Sequence, residues 1–425
     1  MPAPLPLSDQ ISNVACPFCG LVCDDLVIGR QQGASLAVLS NGCPISVPAF
    51  ANAGGTAEPR LKGASATPAQ AIAEAARILT GAHEPLISGL GTDVAGVRAA
   101  AALADRIGAT LDHMNSAAAV RNLMTLQDGG WVVTTLSEVR NRADLLVIAG
   151  SDIAGRFPRF FERCIANQAT LFEENRNCEI IVLGGAPPAG AVPAGLTTSV
   201  IPCDPARLHE AAGVLRVLLS GGTLDATAAA GVPLETWAAL ATRMKAARYG
   251  VLAWAAVDFA FPHAELTVQA LAELLKDLNR DGRWNGLPLG GSEGDITADM
   301  VLLWQTGFAT RTSYGQGTPD HDPWHRAGER MLARGETDAL LWISSFNPAR
   351  TPPAAAVPRI VLGHPAMKFE QEPEVFIPVG IPGVDHAGHL FRSDRVVALA
   401  LGRLRESPLP SAADVLTAIH AALGG

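Results

Sequence analysis

Pro85-Leu-Ile-Ser-Gly-Leu-Gly-Thr-Asp-Val-Ala-Gly96, followed by an alanine-rich run to Ile107, reads as one strand–turn–helix unit. The apolar run at 85–89 is a buried strand, 90–96 a glycine-rich turn, and 97–107 a helix. The same alternation recurs along the chain. Strand 144–149 ends in Gly150-Ser-Asp152, with Pro158-Arg159 beyond it. Strands at 179–183 and 198–202 follow, then helices at 206–219 and 235–246, a strand at 250–255 and a helix at 264–278. Strands at 338–343 (leading to Asn347-Pro348), 359–362 and 374–378 complete the series. Upstream, Thr67 is placed to cap a helix that starts at Pro68, with Ile72, Ala75, Ile78 and Leu79 on one face. Alternation of this length predicts an α/β protein whose parallel sheets are flanked by helices.

Glycine turns after strands invite a nucleotide reading. Gly89-Leu-Gly91 followed by Gly96 departs from the G-x-G-x-x-G fingerprint, and no acidic residue follows at the expected distance after a clear second strand. The turn is read as packing, although the loops after parallel strands remain where such folds place ligands.

The first sixty residues differ in character. Cys16-Pro-Phe-Cys19-Gly-Leu-Val-Cys23-Asp-Asp25 is followed by Cys43 in Asn41-Gly-Cys-Pro44. Four thiols in this spacing suit an iron–sulfur cluster or zinc, and the spacing does not choose between them. Strands at 25–28 and 35–39, joined by Gly29-Arg-Gln-Gln-Gly33, form a hairpin that carries Cys23 toward Cys43.

Composition narrows the function. A 48% hydrophobic, 17% charged chain of 425 residues builds large cores, and its net charge of −9 with a pI near 5.6 argues against a nucleic-acid partner. No apolar run approaches the roughly 20 residues that span a bilayer, and the N-terminal segment lacks the basic and apolar regions of a signal peptide, so a cytoplasmic protein is expected.

The order of these features resembles the molybdopterin oxidoreductase superfamily: a four-cysteine unit, a Thr-Pro-led helix, a strand with a Gly-rich turn, then 144–152 with Pro158-Arg159. Within it the chain is most similar to the family of formylmethanofuran dehydrogenase B subunits, in particular those of bacterial formyltransferase/hydrolase complexes. Gln127-Asp-Gly-Gly130, Trp304-Gln-Thr-Gly307, Leu332-Ala-Arg-Gly-Glu-Thr-Asp-Ala339, Pro382-Gly-Val-Asp-His-Ala-Gly388 and Arg392-Ser-Asp394 carry the likeness over nearly the whole chain.

That family implies a tungsten or molybdenum pterin and one [4Fe-4S] cluster, with a protein cysteine on the metal followed by a histidine. The pair falls on Ala118 and Ala119 in Asp112-His-Met-Asn-Ser-Ala-Ala-Ala-Val-Arg121, and an arginine of the family falls on Gly290. Neither alanine nor glycine has a side-chain donor, and no cysteine exists between Cys43 and Cys164.

The resemblance therefore implies no tungsten or molybdenum pterin here and no catalytic residues. It implies a scaffold subunit of a formyltransferase/hydrolase complex, acting in the one-carbon metabolism of methylotrophs. Such a complex moves a formyl group from formyl-tetrahydromethanopterin to methylofuran and hydrolyses it to formate. The expected partners are an amidohydrolase-like hydrolase, a formyltransferase and a C subunit. Cys16, Cys19, Cys23 and Cys43 would hold [4Fe-4S] or zinc, or be vestigial. The alternative is an active tungsten or molybdenum dehydrogenase chain.

Three domains are expected: 1–60, 61–130 with 330–425, and 131–329. Asp320-His-Asp-Pro-Trp-His325 is read as a solvated loop, Asp385-His-Ala-Gly-His389 as structural or subunit-contacting, and Cys164, Cys178 and Cys203 as small core residues.

Overall fold

The computed structural model describes residues 9–30, 35–166, 170–171, 177–187 and 190–424. The N-terminal segment read for a signal peptide and residues 31–33 of the expected hairpin turn lie outside the described residues.

The chain divides into two compact units, 1–116 with 291–425 and 117–290. Unit 1 begins with an antiparallel ribbon of β1 (Asp9–Val14), β2 (Leu26–Arg30) and β3 (Leu36–Ser40), followed by α1 (Ser46–Ala51). The predicted hairpin is present, and β1 adds a third strand that the sequence did not declare. A short hairpin, β4 (Arg60–Leu61) and β5 (Ala64–Ser65), leads to α2 (Pro68–Thr80), β6 (Pro85–Gly91), α3 (Val94–Ile107) and β7 (Thr110–Leu111). Thr67 caps α2 in a capping box with Gln70. Helix α3 starts three residues earlier than predicted because Asp93, not a residue after Gly96, is its cap: the carboxylate accepts from the Gly96 N–H at 3.0 Å.

Helix α4 (Ser116–Gly129) opens the insertion. Unit 2 continues with α5 (Leu136–Arg142), β8 (Leu145–Ala149), α6 (Ile153–Arg156), β9 (Glu179–Leu183), β10 (Thr198–Ile201) and α7 (Leu208–Leu219). A small hairpin of β11 (Ala228–Ala229) and β12 (Val232–Pro233), α8 (Leu234–Ala246), β13 (Gly250–Ala255), α9 (Ala264–Leu278) and β14 (Trp284–Leu289) complete it. Its five strands are all parallel, in the order β10-β9-β8-β13-β14.

The returning chain supplies α10 (Asp295–Thr306), β15 (Thr312–Ser313), β16 (Asp320–His321), α11 (Gly328–Arg334), β17 (Ala339–Ser344), β18 (Arg359–Gly363), β19 (Val375–Pro378), the hairpin β20 (Gly388–Phe391) and β21 (Ala398–Leu401), and α12 (Ala412–Ala422). The large sheet of unit 1 runs β16-β15-β7-β6-β17-β18-β19-β4-β5, parallel from β7 to β19 and antiparallel at both edges. Leu341 and Ile343 of β17 join Val97, Leu103, Val301, Leu302 and Leu416 in one core, while Trp342, on the opposite face, packs with Val361, Met367 and Phe376. The predicted parallel, helix-flanked α/β architecture is present in both units.

The expected domain boundaries differ from the observed ones at 117–130 and 291–329, and residues 1–60 form part of unit 1. Side-chain packing explains the shift. Ala118 packs on the core of unit 2, and Asn122 Oδ1 accepts the Trp254 indole N–H at 3.0 Å. Ala298, Val301 and Leu302 of α10 are buried in the core of unit 1. Gly250 of β13 lies directly beneath the Trp284 ring: a Cβ there would stand 2.1 Å from it. Gly250→Ala is expected to cost about 2–3 kcal/mol in a urea unfolding experiment; an unchanged midpoint would show that the ring can move aside.

Candidate functional site

The four cysteines sit where the N-terminal ribbon turns. Cys16 and Cys23 are buried, Cys19 and Cys43 half-buried, and none is disulfide-bonded. The Cys16 N–H donates to the Cys23 carbonyl at 2.8 Å and the Val22 N–H to the Cys19 carbonyl at 3.1 Å, closing a tight loop. Val22 holds φ of 44°, a left-handed conformation costly for a β-branched residue. Backbone N–H groups face the sulfurs: Phe18 to Cys16, Leu21 and Val22 to Cys19, and Ser46 to Cys43 Sγ at 3.3 Å.

Burial, and then the charge of the neighbouring Cys19, push the Cys16 thiol well up; Cys23 and Cys43 add to the effect. Burial likewise raises Cys19 to about 12, with Cys23 and Cys43 adding and the two backbone N–H groups opposing. Cys16 and Cys19 are thus held protonated by burial and by the neighbouring sulfurs, an effect that a bound cation would offset. Among the described residues no three Cys, His, Asp or Glu side chains gather closely enough for a single metal ion. A tetrahedral zinc needs sulfurs about 2.3 Å from one point. A polynuclear cluster likewise takes four thiolates and accepts hydrogen bonds at its sulfurs.

Ala118 and Ala119 lie in the first turn of α4, both half-buried, and Gly290 follows β14. None offers a ligand or a proton carrier, so these residues do not fit a protein-ligated tungsten or molybdenum centre.

Both sheets have a point where strand order reverses, the place where doubly wound folds bind ligands beyond the carboxyl ends. In unit 2 the reversal lies between β8 and β13, whereas Gly150, Ser151, Asp152, Ile153, Phe161 and Gly185 help line a cavity of about 300 Å³ one strand away, beyond β8 and β9. Asp152 itself caps α6, accepting from the Gly155 N–H at 2.9 Å.

In unit 1 the reversal lies between β6 and β17, and the protein's own 291–294 segment packs against it. Gly294 stands so close to Thr92 that a Cβ would meet the Thr92 carbonyl at 2.6 Å. Glu293 accepts from Asn347 at 2.5 Å and from Arg350 at 2.6 Å. Beneath it, the hydroxyls of Ser344 and Ser345 are buried with no hydrogen-bond partner.

The other candidates are structural in this geometry. His321 donates from Nδ1 to the Thr310 carbonyl at 2.8 Å and stacks on Phe308. Asp322 accepts the backbone N–H groups of Trp324 and His325 and faces the His325 ring at 2.7 Å; the His325 backbone bond, foremost, brings its carboxyl down to about 2. Buried Asp385 accepts from Arg405 at 2.7 Å and from the Ile381 N–H at 2.9 Å, whereas His389 is exposed on β20. Cys164, Cys178 and Cys203 are buried.

Sequence reasoning missed a buried polar cluster after β7. Asp112 accepts from the His113 N–H at 3.0 Å, the Thr310 hydroxyl at 2.9 Å and the Gly328 N–H at 2.8 Å, with Arg311 3.9 Å away. His113 Nε2 lies 3.1 Å from Asp299, and the Asn115 amide reaches Ser292 at 3.1 Å and Asp295 at 2.9 Å. The Asp-His dipeptide is the only local signal; its partners lie about 180 to 216 residues on.

His364, at the end of β18, is buried; burial, opposed by Asp385 and aided by Arg405, lowers its pKa to about 4. The unfolded chain takes up that proton near pH 6.5 while the folded chain resists it until about pH 4. Stability present above pH 6.5 is therefore lost as the pH falls through this window, by up to about 3 kcal/mol. His364→Asn should flatten that acid limb in urea midpoints measured from pH 7 to 4; an unchanged slope would assign the loss to other groups.

No family model matches the chain. It is 29% identical over 401 residues to the B subunit of the tungsten-containing formylmethanofuran dehydrogenase 2 of Methanocaldococcus jannaschii, covering 91% of this chain and 92% of that protein. It is 30% identical over 352 residues to the B subunit of the formyltransferase/hydrolase complex Fhc of Methylorubrum extorquens, covering 80% and 90% respectively. The crystal structure of the Methylorubrum complex FhcABCD with methylofuran contains a chain that matches at a TM-score of 0.72 and 29% identity, over 86% of this chain and 98% of that one. Acetylene hydratase from Pelobacter acetylenicus shares the fold, with a TM-score of 0.63 at 12% identity, over 97% of this chain and 69% of that one. The architecture is accordingly of the molybdopterin-oxidoreductase type, as the sequence order implied. With this architecture and these identities, the chain belongs to the family of formylmethanofuran dehydrogenase B subunits, which includes the B subunit of the formyltransferase/hydrolase complex.

Proposed function

We propose that the chain is a non-catalytic scaffold subunit of a formyltransferase/hydrolase complex. That complex would pass a formyl group from formyl-tetrahydromethanopterin to methylofuran and release it as formate. The observation that carries the reading is the pair Ala118 and Ala119 on α4, in a chain with no cysteine between Cys43 and Cys164. Redox chemistry on formate at such a site needs a metal ligand, a proton carrier and a cation for the carboxylate. Ala118, Ala119 and Gly290 supply none of them. The transfer and hydrolysis steps then fall to partner chains, a formyltransferase and an amidohydrolase-like hydrolase, with a C subunit completing the set. Methylofuran would be bound by the assembled complex.

The four N-terminal cysteines would hold a [4Fe-4S] cluster that ties the ribbon together. The small ribbon has little core of its own, and ligand binding adds to its folding free energy.

Elemental and pterin analysis of the anaerobically purified complex tests the scaffold reading. Tungsten and molybdenum are expected well below one atom per chain. One atom of either with stoichiometric pterin would sink the reading and favour an active dehydrogenase, to which the tungsten-containing relative points. Cys16→Ser separates the cluster's role from turnover. Iron content and yield of assembled complex should fall, while formate release per assembled complex stays within about twofold of the parent. A selective loss of turnover in normally assembled complex would assign the cysteines a catalytic part.

A further inference from the structure

The chain leaves unit 1 after Ser116 and returns to it at Gly291. Within unit 1 these two points are bonded to each other. The Asn115 side-chain amide donates to Ser292 Oγ at 3.1 Å and to Asp295 Oδ2 at 2.9 Å. The Asn115 backbone N–H donates to His113 Nδ1 at 3.2 Å, and His113 Nε2 meets Asp299 Oδ1 at 3.1 Å on α10. His113 is 3% exposed and Asp299 7%, so the bond between them is buried, while the Asn115 N–H that meets Nδ1 is half-buried.

The ring's two nitrogens face opposite demands. An imidazole that accepts the Asn115 N–H at Nδ1 must be neutral, with its proton on Nε2 toward Asp299. A second proton would sit on Nδ1 and point at the Asn115 N–H, donor against donor. We propose that His113 is a proton-operated latch on the two chain crossings. In its neutral form the ring holds the 113–116 turn through Asn115. Protonated, it gives up that bond and is held by Asp299 alone.

The surrounding charges make the second proton accessible. Burial opposes charge on His113, but Asp299, with Asp295 and Asp112 behind it, outweighs burial and raises the pKa. Asp295 is itself raised by burial, against the pull of His113 and Asn115, and its carboxyl can accept the Asn115 amide in either protonation state. From the segment just before β15, Thr310 and Arg311 reach the cluster: Thr310 bonds Asp112, and Arg311 lies 3.9 Å from Asp112 and bonds Ser116 at 3.3 Å. They steady Asp112 and the end of the turn without touching the imidazole. The sign follows. Acidification strengthens the Asp299 contact and frees the Asn115 N–H, so the turn loosens while α10 stays docked.

Hydrogen exchange of the full-length protein, read on peptides covering 112–116 and 295–300 between pH 5.5 and 8.5 and corrected for intrinsic rates, tests the latch. Protection of the first peptide should fall on the order of tenfold toward acid pH, with the second unchanged or better protected. His113→Gln keeps a polar group of similar reach but cannot titrate, and should make the first peptide's protection independent of pH. Asp299→Asn removes the carboxylate that draws the proton and should move the transition at least about one pH unit lower. The latch is overturned by flat protection in the parent. It is equally overturned by a parent-like slope in His113→Gln or, if that variant does not fold, by an unmoved midpoint in Asp299→Asn.

Discussion

Unit 1 is assembled from two stretches of chain separated by an inserted domain, and the burial of Asp112 ties them together. This carboxylate directly follows β7, in the first stretch, and is almost without solvent. Beyond the adjacent His113 N–H, its hydrogen bonds come from Thr310 and Gly328, both in the returning stretch, with Arg311 nearby. A buried carboxylate without partners is strongly disfavoured. The polar end of β7 is therefore satisfied only once the chain has completed unit 2 and come back. The parallel pairing of β6 with β17 adds the same requirement through the backbone, since β17 also arrives after the insertion.

From this constraint the arrangement of the candidate sites follows. The returning chain first lays 291–294 against the carboxyl ends of β6 and β17, where Glu293 bonds Asn347 and Arg350. The same segment passes the cysteine loop: a Cβ on Gly291 would stand 2.8 Å from Gly20 Cα, and the Ser393 N–H donates to the Gly20 carbonyl at 2.7 Å. The four-cysteine ribbon is thus held by the body of unit 1 as well as by any cluster it carries. This packing assembles the domain whatever chemistry the site carries.

How much is legible in the residues depends on range. The capping box of Thr67 and Gln70, the unbroken apolar run of β8 and the alternation of strand and helix are local signals, and each reads directly. Helix α3 is misplaced by three residues because Asp93, its cap, sits inside what looks like a glycine turn. The insertion boundaries are misplaced for a different reason: Ala118 and Leu302 look alike as apolar helix residues, and only their neighbours tell which core each enters. The His113 cluster gives almost no signal, since Asp299 and Ser292 have no spacing relation to it.

Fold class, family and the absence of a side-chain donor on Ala118, Ala119 and Gly290 are all written in the chain itself. Periodicity, motif order and side-chain identity are properties that folding cannot alter. Folding alone settles which sulfurs feel one another, which carboxylate faces His113, and which loop covers the carboxyl ends of the unit 1 sheet. Those depend on desolvation and on contacts across roughly two hundred residues, and a buried charge takes its properties from whatever the fold brings beside it.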